Sequence, residues 1–166
     1  NVNDCDYASI IGDFSAIPQL NQGLHYGFRG CEVGGPYSQC PDGNCVAMDF
    51  YQNNLYSDSY LQNDWAHWAL VYDNNTLQRK IYLNGELVAS DNSNGGQLLS
   101  EFDLIIGAGQ FDGSEIHSYY NGLFDDISMW NIALTEEEIE SNMICVGQSE
   151  NLVFLYNFDD QNSDII

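Results

Sequence analysis

Basic side chains are nearly missing from this chain. Its 166 residues hold three, Arg29, Arg79 and Lys80, against 25 Asp and Glu, for a net charge of −22. That balance repels a polyphosphate backbone or an anionic lipid surface, so nucleic acid and acidic membranes are excluded as partners. It suits salty surroundings or divalent cations, and equally a solvated surface that keeps molecules apart. No apolar run approaches the length of a bilayer-crossing helix. Neither an initiator Met nor a charged-then-apolar leader precedes Asn1, the pattern expected of a mature secreted product or of a piece cut from something longer.

Several chemistry-bearing motifs are also lacking. His25, His67 and His117 have no G-x-S-x-G elbow beside them, so a Ser-based triad is not expected. The polar stretch DNSNGG from Asp91 resembles the start of a calcium loop, but its twelfth position is Phe102, where an EF-hand needs a carboxylate. A plain turn is expected there. Cys31, Cys40 and Cys45 crowd into GCEVGGPYSQCPDGNC without the second cluster that a four-ligand zinc site requires.

Five cysteines in an extracellular-looking chain argue instead for disulfides, with one left over. Cys31 with Cys45 would staple the base of the loop, where GLHYGFR and VAMDFYQ are expected to stand opposite one another, and Cys31 with Cys40 is the rival pairing. Cys5 with Cys145 would tie the two ends of the chain, leaving Cys40 unpaired or open to another chain.

What is present is strand-forming sequence. The most legible stretch is WAHWALVYDNNTLQRKIYLNGELVAS, Trp65 to Ser90, which reads as three strands in succession. Asn84-Gly85 accepts positive φ at both central positions of a type I′ turn, so the second and third strands pair as a tight hairpin. In the first, Trp68, Leu70 and Tyr72 alternate with Trp65, His67, Ala69 and Val71, and the apolar character of both faces predicts a central strand.

Around that stretch lie YASIIG from Tyr7, LHYGFR with Leu24, Tyr26 and Phe28 on one face, and VAMDFY with Val46, Met48 and Phe50 on one face. Asn53-Asn54 then reads as a turn. FDLIIGA from Phe102 reads as a buried strand, YYNGLFDDISMW from Tyr119 as a strand interrupted at Asn121-Gly122, and NLVFLYNF from Asn151 as the last one. Leu134 to Met143 is the one helix: Thr135 and Glu138 form a capping box, Leu134 and Ile139 stand at staple spacing, and Ile139 and Met143 share a face. About nine strands at short spacing with one late helix predict an all-β, antiparallel two-sheet sandwich. One domain over 1–166 is expected, with 159–166 as a tail or linker.

The order of DWAHWALVYD, RKIYLNGELVAS, LIIGAG, YYNGLFDDISMWNIALTEEEIES and NLVFLYNFDD resembles the laminin-G-like, concanavalin-like jelly-roll domains over roughly Leu24 to Asp160. The family's W-x-H falls on Trp65 and His67, and its acidic G-x-x-D signature on Gly122 and Asp125, with Asp126 adjacent. The resemblance implies a jelly roll that recognises glycans or proteins outside cells, often with bound calcium. Such domains open with one or two further strands before the position of Tyr7. None is visible in this sequence, so the N-terminal segment does that work in an unrecognisable form, the piece is truncated, or a neighbouring chain donates a strand to an open edge.

The candidate site residues follow. Asp125 and Asp126 alternate in direction, so one carboxylate is expected to point inward, where it must be paired, hydrogen-bonded or metal-bound. Calcium suits hard oxygen ligands on an acidic domain. Tyr119 and Tyr120, after a Gly-rich loop, are candidates for an exposed aromatic platform, and Trp65 is a rim candidate. His67, between two Trp residues, reads as a packed, hydrogen-bonded histidine. Glu101-Phe102-Asp103 invites comparison with the Glu-x-Asp-x-x-Glu strand of jelly-roll glycanases, but the third position is Ile106. Asn74-Asn75-Thr76 matches a glycan acceptor at a turn.

A secreted or cell-surface module that binds carbohydrate or an extracellular protein, with calcium as a stabiliser, fits best. A structural subunit of an extracellular assembly is the second reading, and a glycanase the third.

Overall fold

The computed structural model describes residues 6–13, 23–30, 44–50, 53–57, 64–94, 97–98, 104–110, 116–117 and 119–159. They fall into two compact units, Asn1–Asn121 and Gly122–Ile166.

Among the described residues the first unit holds ten strands. A five-stranded antiparallel sheet is built from β1 (Asp6–Asp13), β2 (Leu24–Gly30), β3 (Asn44–Phe50), β4 (Asn53–Ser57) and β8 (Ile105–Ile106), in the order β4-β3-β2-β1-β8. A three-stranded sheet follows the order β5 (Trp68–Asp73), β6 (Gln78–Leu83), β7 (Glu86–Asn92). β9 (Gly109–Gln110) and β10 (Ile116–His117) form a small ladder.

Register shows why these sequences fold this way. Leu24 faces Phe50, Tyr26 faces Met48 and Phe28 faces Val46, so the period-2 apolar sets of β2 and β3 share one face. Leu55 of β4 joins them opposite Met48. Tyr26, Val46, Met48, Phe50 and Leu55 pack with Ile81 of β6, and Trp68, Leu70 and Tyr72 of β5 close the cluster. Two antiparallel sheets thus bury their apolar faces against each other, which is a sandwich. Asn53 is not a turn residue: it pairs with Phe50 inside β4, because its side chain meets partners in the opposite sheet. β5 is an edge strand of its sheet among the described residues, and β6 takes the central place.

The predicted hairpin is present. Asn84 and Gly85 have φ of 50° and 85°, the pair of left-handed conformations that a type I′ turn requires. Asn84 also locks the entry to β5, since its Oδ1 accepts from the His67 amide at 2.9 Å and its own amide donates to the His67 carbonyl at 2.8 Å.

The second unit holds β11 (Ile127–Trp130) paired antiparallel with β12 (Leu152–Tyr156), and α1 (Glu136–Ile144) between them. The capping box is formed. Glu138 Oε2 accepts from the Thr135 amide at 2.7 Å, and the Glu138 amide donates to Thr135 Oγ1 at 3.3 Å. Ile139 is buried, whereas Met143 is exposed, so the expected two-residue apolar face narrows to one residue.

Cys45 is buried and disulfide-bonded. Cys5, Cys31 and Cys40 lie outside the described residues, and the choice between the expected partners with them. Cys145 is an exposed free thiol following α1, which corrects the expected Cys5–Cys145 link.

Candidate functional site

The aromatic candidates separate into two kinds. Tyr119 is 69% exposed, and its hydroxyl donates to the Ile116 carbonyl at 3.0 Å, which fixes the ring while leaving its faces to solvent. Trp65 is 63% exposed, just before β5, with its amide donating to Asp64 Oδ1 at 2.9 Å. Both present the broad apolar ring faces on which a sugar can stack. Tyr120, by contrast, turns into the unit. It stacks on Phe28 at 5.9 Å, and Phe28 in turn meets the edge of Trp68 at 6.3 Å. The Tyr120 amide donates to the Gly107 carbonyl, so this residue belongs to the packed aromatic group and positions its neighbour Tyr119.

The acidic pair behaves differently from expectation. Asp125 and Asp126 are both exposed and precede β11 rather than lying in it, so the strand alternation that would have turned one inward does not operate. Asp125 Oδ1 accepts from the Asp126 amide at 3.1 Å, and Asp126 adopts a left-handed φ of 48°. The chain here is irregular rather than extended. Among the described residues, no group of three or more His, Cys, Asp or Glu comes together as a metal cluster. Two carboxylates are too few for the six to eight oxygens calcium takes, unless carbonyls and water complete the shell.

Glu101 and Asp103 lie outside the described residues, and Ile106, where a third acid would stand, pairs with Ile11 in the five-stranded sheet. Asn74 is exposed at the tip of the β5–β6 turn. Asp73 organises that turn by accepting from Thr76 Oγ1 at 2.7 Å and the Asn75 amide at 2.8 Å, and the Thr76 bond leads in holding its carboxyl below the usual carboxylate range.

Among the described residues the buried Nδ1 of His67 has no hydrogen-bond partner, and burial lowers its pKa from the ordinary 6.5. Desolvation favours the neutral imidazole, which suits a packed position.

Two polar groupings were invisible in the sequence. Arg79 is fully buried, with Nε donating to Asp91 Oδ1 at 2.8 Å and NH2 to Asp91 Oδ2. Its NH1 and NH2 also donate to the Asn53 carbonyl at 2.6 Å and to Asn53 Oδ1 at 3.1 Å, and the guanidinium sits 4.9 Å from the centre of the Phe50 ring. Asn53 Nδ2 passes the network on to Ser93 Oγ and the Asn94 carbonyl. The result is a strut between the two sheets. The other grouping is His25 Nδ1 and Asp49 Oδ2, 3.4 Å apart and directly opposite on β2 and β3. Neither showed in the sequence, because the partners are 12 to 41 residues apart and meet only through register.

Antiparallel sheets packed as a sandwich, with one short helix late in the chain, define a jelly-roll domain of the lectin type. The chain belongs to the concanavalin A-like lectin/glucanases superfamily in its laminin-G form, which residues 33–140 match. Among curated proteins it is similar to pappalysin-1 of mouse and of human, 32% identical over 85 residues, which is 51% of this chain and 5% of each relative. The chain therefore spans about 5% of the length of these relatives. Among solved structures, a candidate carbohydrate binding protein from Bacteroides ovatus is similar in fold. The TM-score is 0.67 at 24% identity, covering 97% of this chain and 44% of that one.

Proposed function

We propose that this chain is a non-catalytic carbohydrate-recognition module of a secreted or cell-surface protein, with Tyr119 and Trp65 as its stacking surfaces. The observation that carries it is Tyr119, a ring pinned by its own hydroxyl yet 69% exposed. An aromatic with two soft torsions, fixed by a hydrogen bond, supplies contact area at small entropic cost. The superfamily includes lectins, and the Bacteroides ovatus relative is named as a candidate carbohydrate binder, which supports the same reading. The disulfide at Cys45 suits an oxidising compartment. In a host that glycosylates, Asn74 would carry a glycan at its exposed turn. Calcium would draw on Asp125 and Asp126, completed by carbonyl and water oxygens.

A glycan array followed by calorimetry on the best hit tests this. Tyr119→Ala and Trp65→Ala should each weaken binding about tenfold, ~1.4 kcal/mol, with unchanged thermal stability. Unchanged affinity in both variants, or an array blank with and without chelator, removes the reading. Binding of an extracellular protein in place of glycans would do the same.

A further inference from the structure

Within the second unit, an open hollow of about 220 Å³ lies between the end of β11, one face of α1 and the segment 147–151. We infer that this hollow is a second binding site, for one neutral sugar unit at the end of a glycan, separate from the Tyr119 surface.

Its walls are mixed in a way that selects the ligand. Trp130 and Leu134, both half-buried, provide an apolar side. Ser141 and Asn142 stand on the helix face that also carries Glu138, and Gln148 and Asn151 face them from the return segment. The frame is tied. Trp130 Nε1 donates to Ser128 Oγ at 3.2 Å, the Gly147 amide to Asn142 Oδ1 at 3.4 Å, the Asn151 amide to Ser149 Oγ at 3.1 Å, and the Asn131 amide to the Asn151 carbonyl at 3.0 Å. What remains for a ligand is the Asn142 side-chain NH2, the side-chain amides of Gln148 and Asn151 and the Ser141 hydroxyl. These groups can donate, and all but the committed Asn142 carbonyl can also accept.

Chemistry then narrows the occupant. An anionic ligand finds no base in the lining and a chain of charge −22. A cation finds one carboxylate, Glu138, whose Oε2 is already committed to the Thr135 amide. A wholly apolar ligand would cover the side-chain amides without giving them partners, which opposes its binding. Hydroxyls both donate and accept, and a pyranose has an apolar C–H face for the indole. The hollow is also smaller than the about 300–1,000 Å³ that drug-sized ligands occupy, so one ring fits and the rest of a chain projects outward.

Gly147 makes the test clean. A Cβ added there meets nothing within 4 Å, so Gly147→Phe can crowd the rim without straining the fold. The amide spectrum of the full chain should be followed during titration with the methyl glycosides of glucose, galactose, mannose and N-acetylglucosamine. Saturable shifts at Gly147, Gln148 and Asn142 with at least one glycoside are expected. Gly147→Phe and Gln148→Ala should each weaken that binding about tenfold with the melting temperature unchanged, while Tyr119→Ala leaves it intact. No shift at these three amides with any of the four glycosides overturns the inference. So does full binding in both hollow variants, or equal loss in Tyr119→Ala, which would mean a single site at the Tyr119 surface. A failed glycan array with positive shifts here would sink the Tyr119 reading and leave this one standing.

Discussion

Tyr26 and Arg79 are both polar, both buried, and opposite in what they do for the fold. The Tyr26 hydroxyl is buried with no hydrogen-bond partner among the described residues, and its pKa is raised, first by burial and then by the nearby Tyr120. Removing an unsatisfied buried hydroxyl while keeping the ring costs nothing in packing, so Tyr26→Phe should be neutral or stabilising by up to about 1 kcal/mol. Arg79 has a bidentate carboxylate, a carbonyl, an amide oxygen and a ring face as partners. Arg79→Met leaves Asp91 and Asn53 without their donor and should cost about 3 kcal/mol, the lower end for breaking a buried pair, because Asp91 is 32% exposed and can hydrate. Urea titrations of the two variants check the contrast, and equal losses would mean that the strut is not what joins the sheets. His67 adds a pH dependence. Its folded pKa lies below the unfolded 6.5, so below that value the unfolded chain takes up a proton first and stability falls as pH drops through the folded pKa. His67→Gln should be flatter than the wild type between pH 7 and the folded pKa, read as the difference between two stability profiles. The sequence showed a histidine between two Trp residues but not its lack of a partner, because that depends on which atoms the packed fold brings to Nδ1.

At the scale of elements, short-range chemistry was readable and long-range pairing was not. Asn84-Gly85 announced its hairpin, and Thr135 with Glu138 announced the start of α1, because both signals are satisfied within four residues. Gly85 sits at φ 85°, so Gly85→Ala should destabilise by about 1–2 kcal/mol, with the loss visible first as faster amide exchange in β6 and β7. A variant as stable as the parent would show that the turn is not a determinant of register. Asn53 and Asp125 depart from expectation for different reasons. Asn-Asn marks a turn by propensity, but the guanidinium in the other sheet makes Asn53 a strand residue. Alternation placed one of Asp125 and Asp126 inward, but the left-handed Asp126 breaks the chain's extension before β11. Tertiary partners overrode local preference in the first case, and irregular backbone stands where a strand was expected in the second.

At the scale of the whole molecule, 25 acids against three bases make every ion a stabiliser to some degree, and a calcium effect has to be separated from simple screening. Self-repulsion weakens as the Debye length shrinks from about 30 Å at 0.01 M salt to about 8 Å at 0.15 M, so the melting temperature should rise with NaCl over that range and then level off. A site of the affinity usual for extracellular calcium modules, about 10⁻⁴ M at its tighter end, adds a term that NaCl cannot supply. About 2 mM CaCl2 in a background of about 0.15 M NaCl hardly changes the ionic strength, yet it should stabilise such a site by about 2 kcal/mol. Asp125→Asn with Asp126→Asn removes two charges from a total of −22, which leaves the NaCl curve nearly as it was. The same pair should abolish the calcium increment if these carboxylates anchor the ion. An increment that persists in the double variant moves the ion to other ligands, and an increment missing from the parent makes the acidic surface a matter of solvation alone.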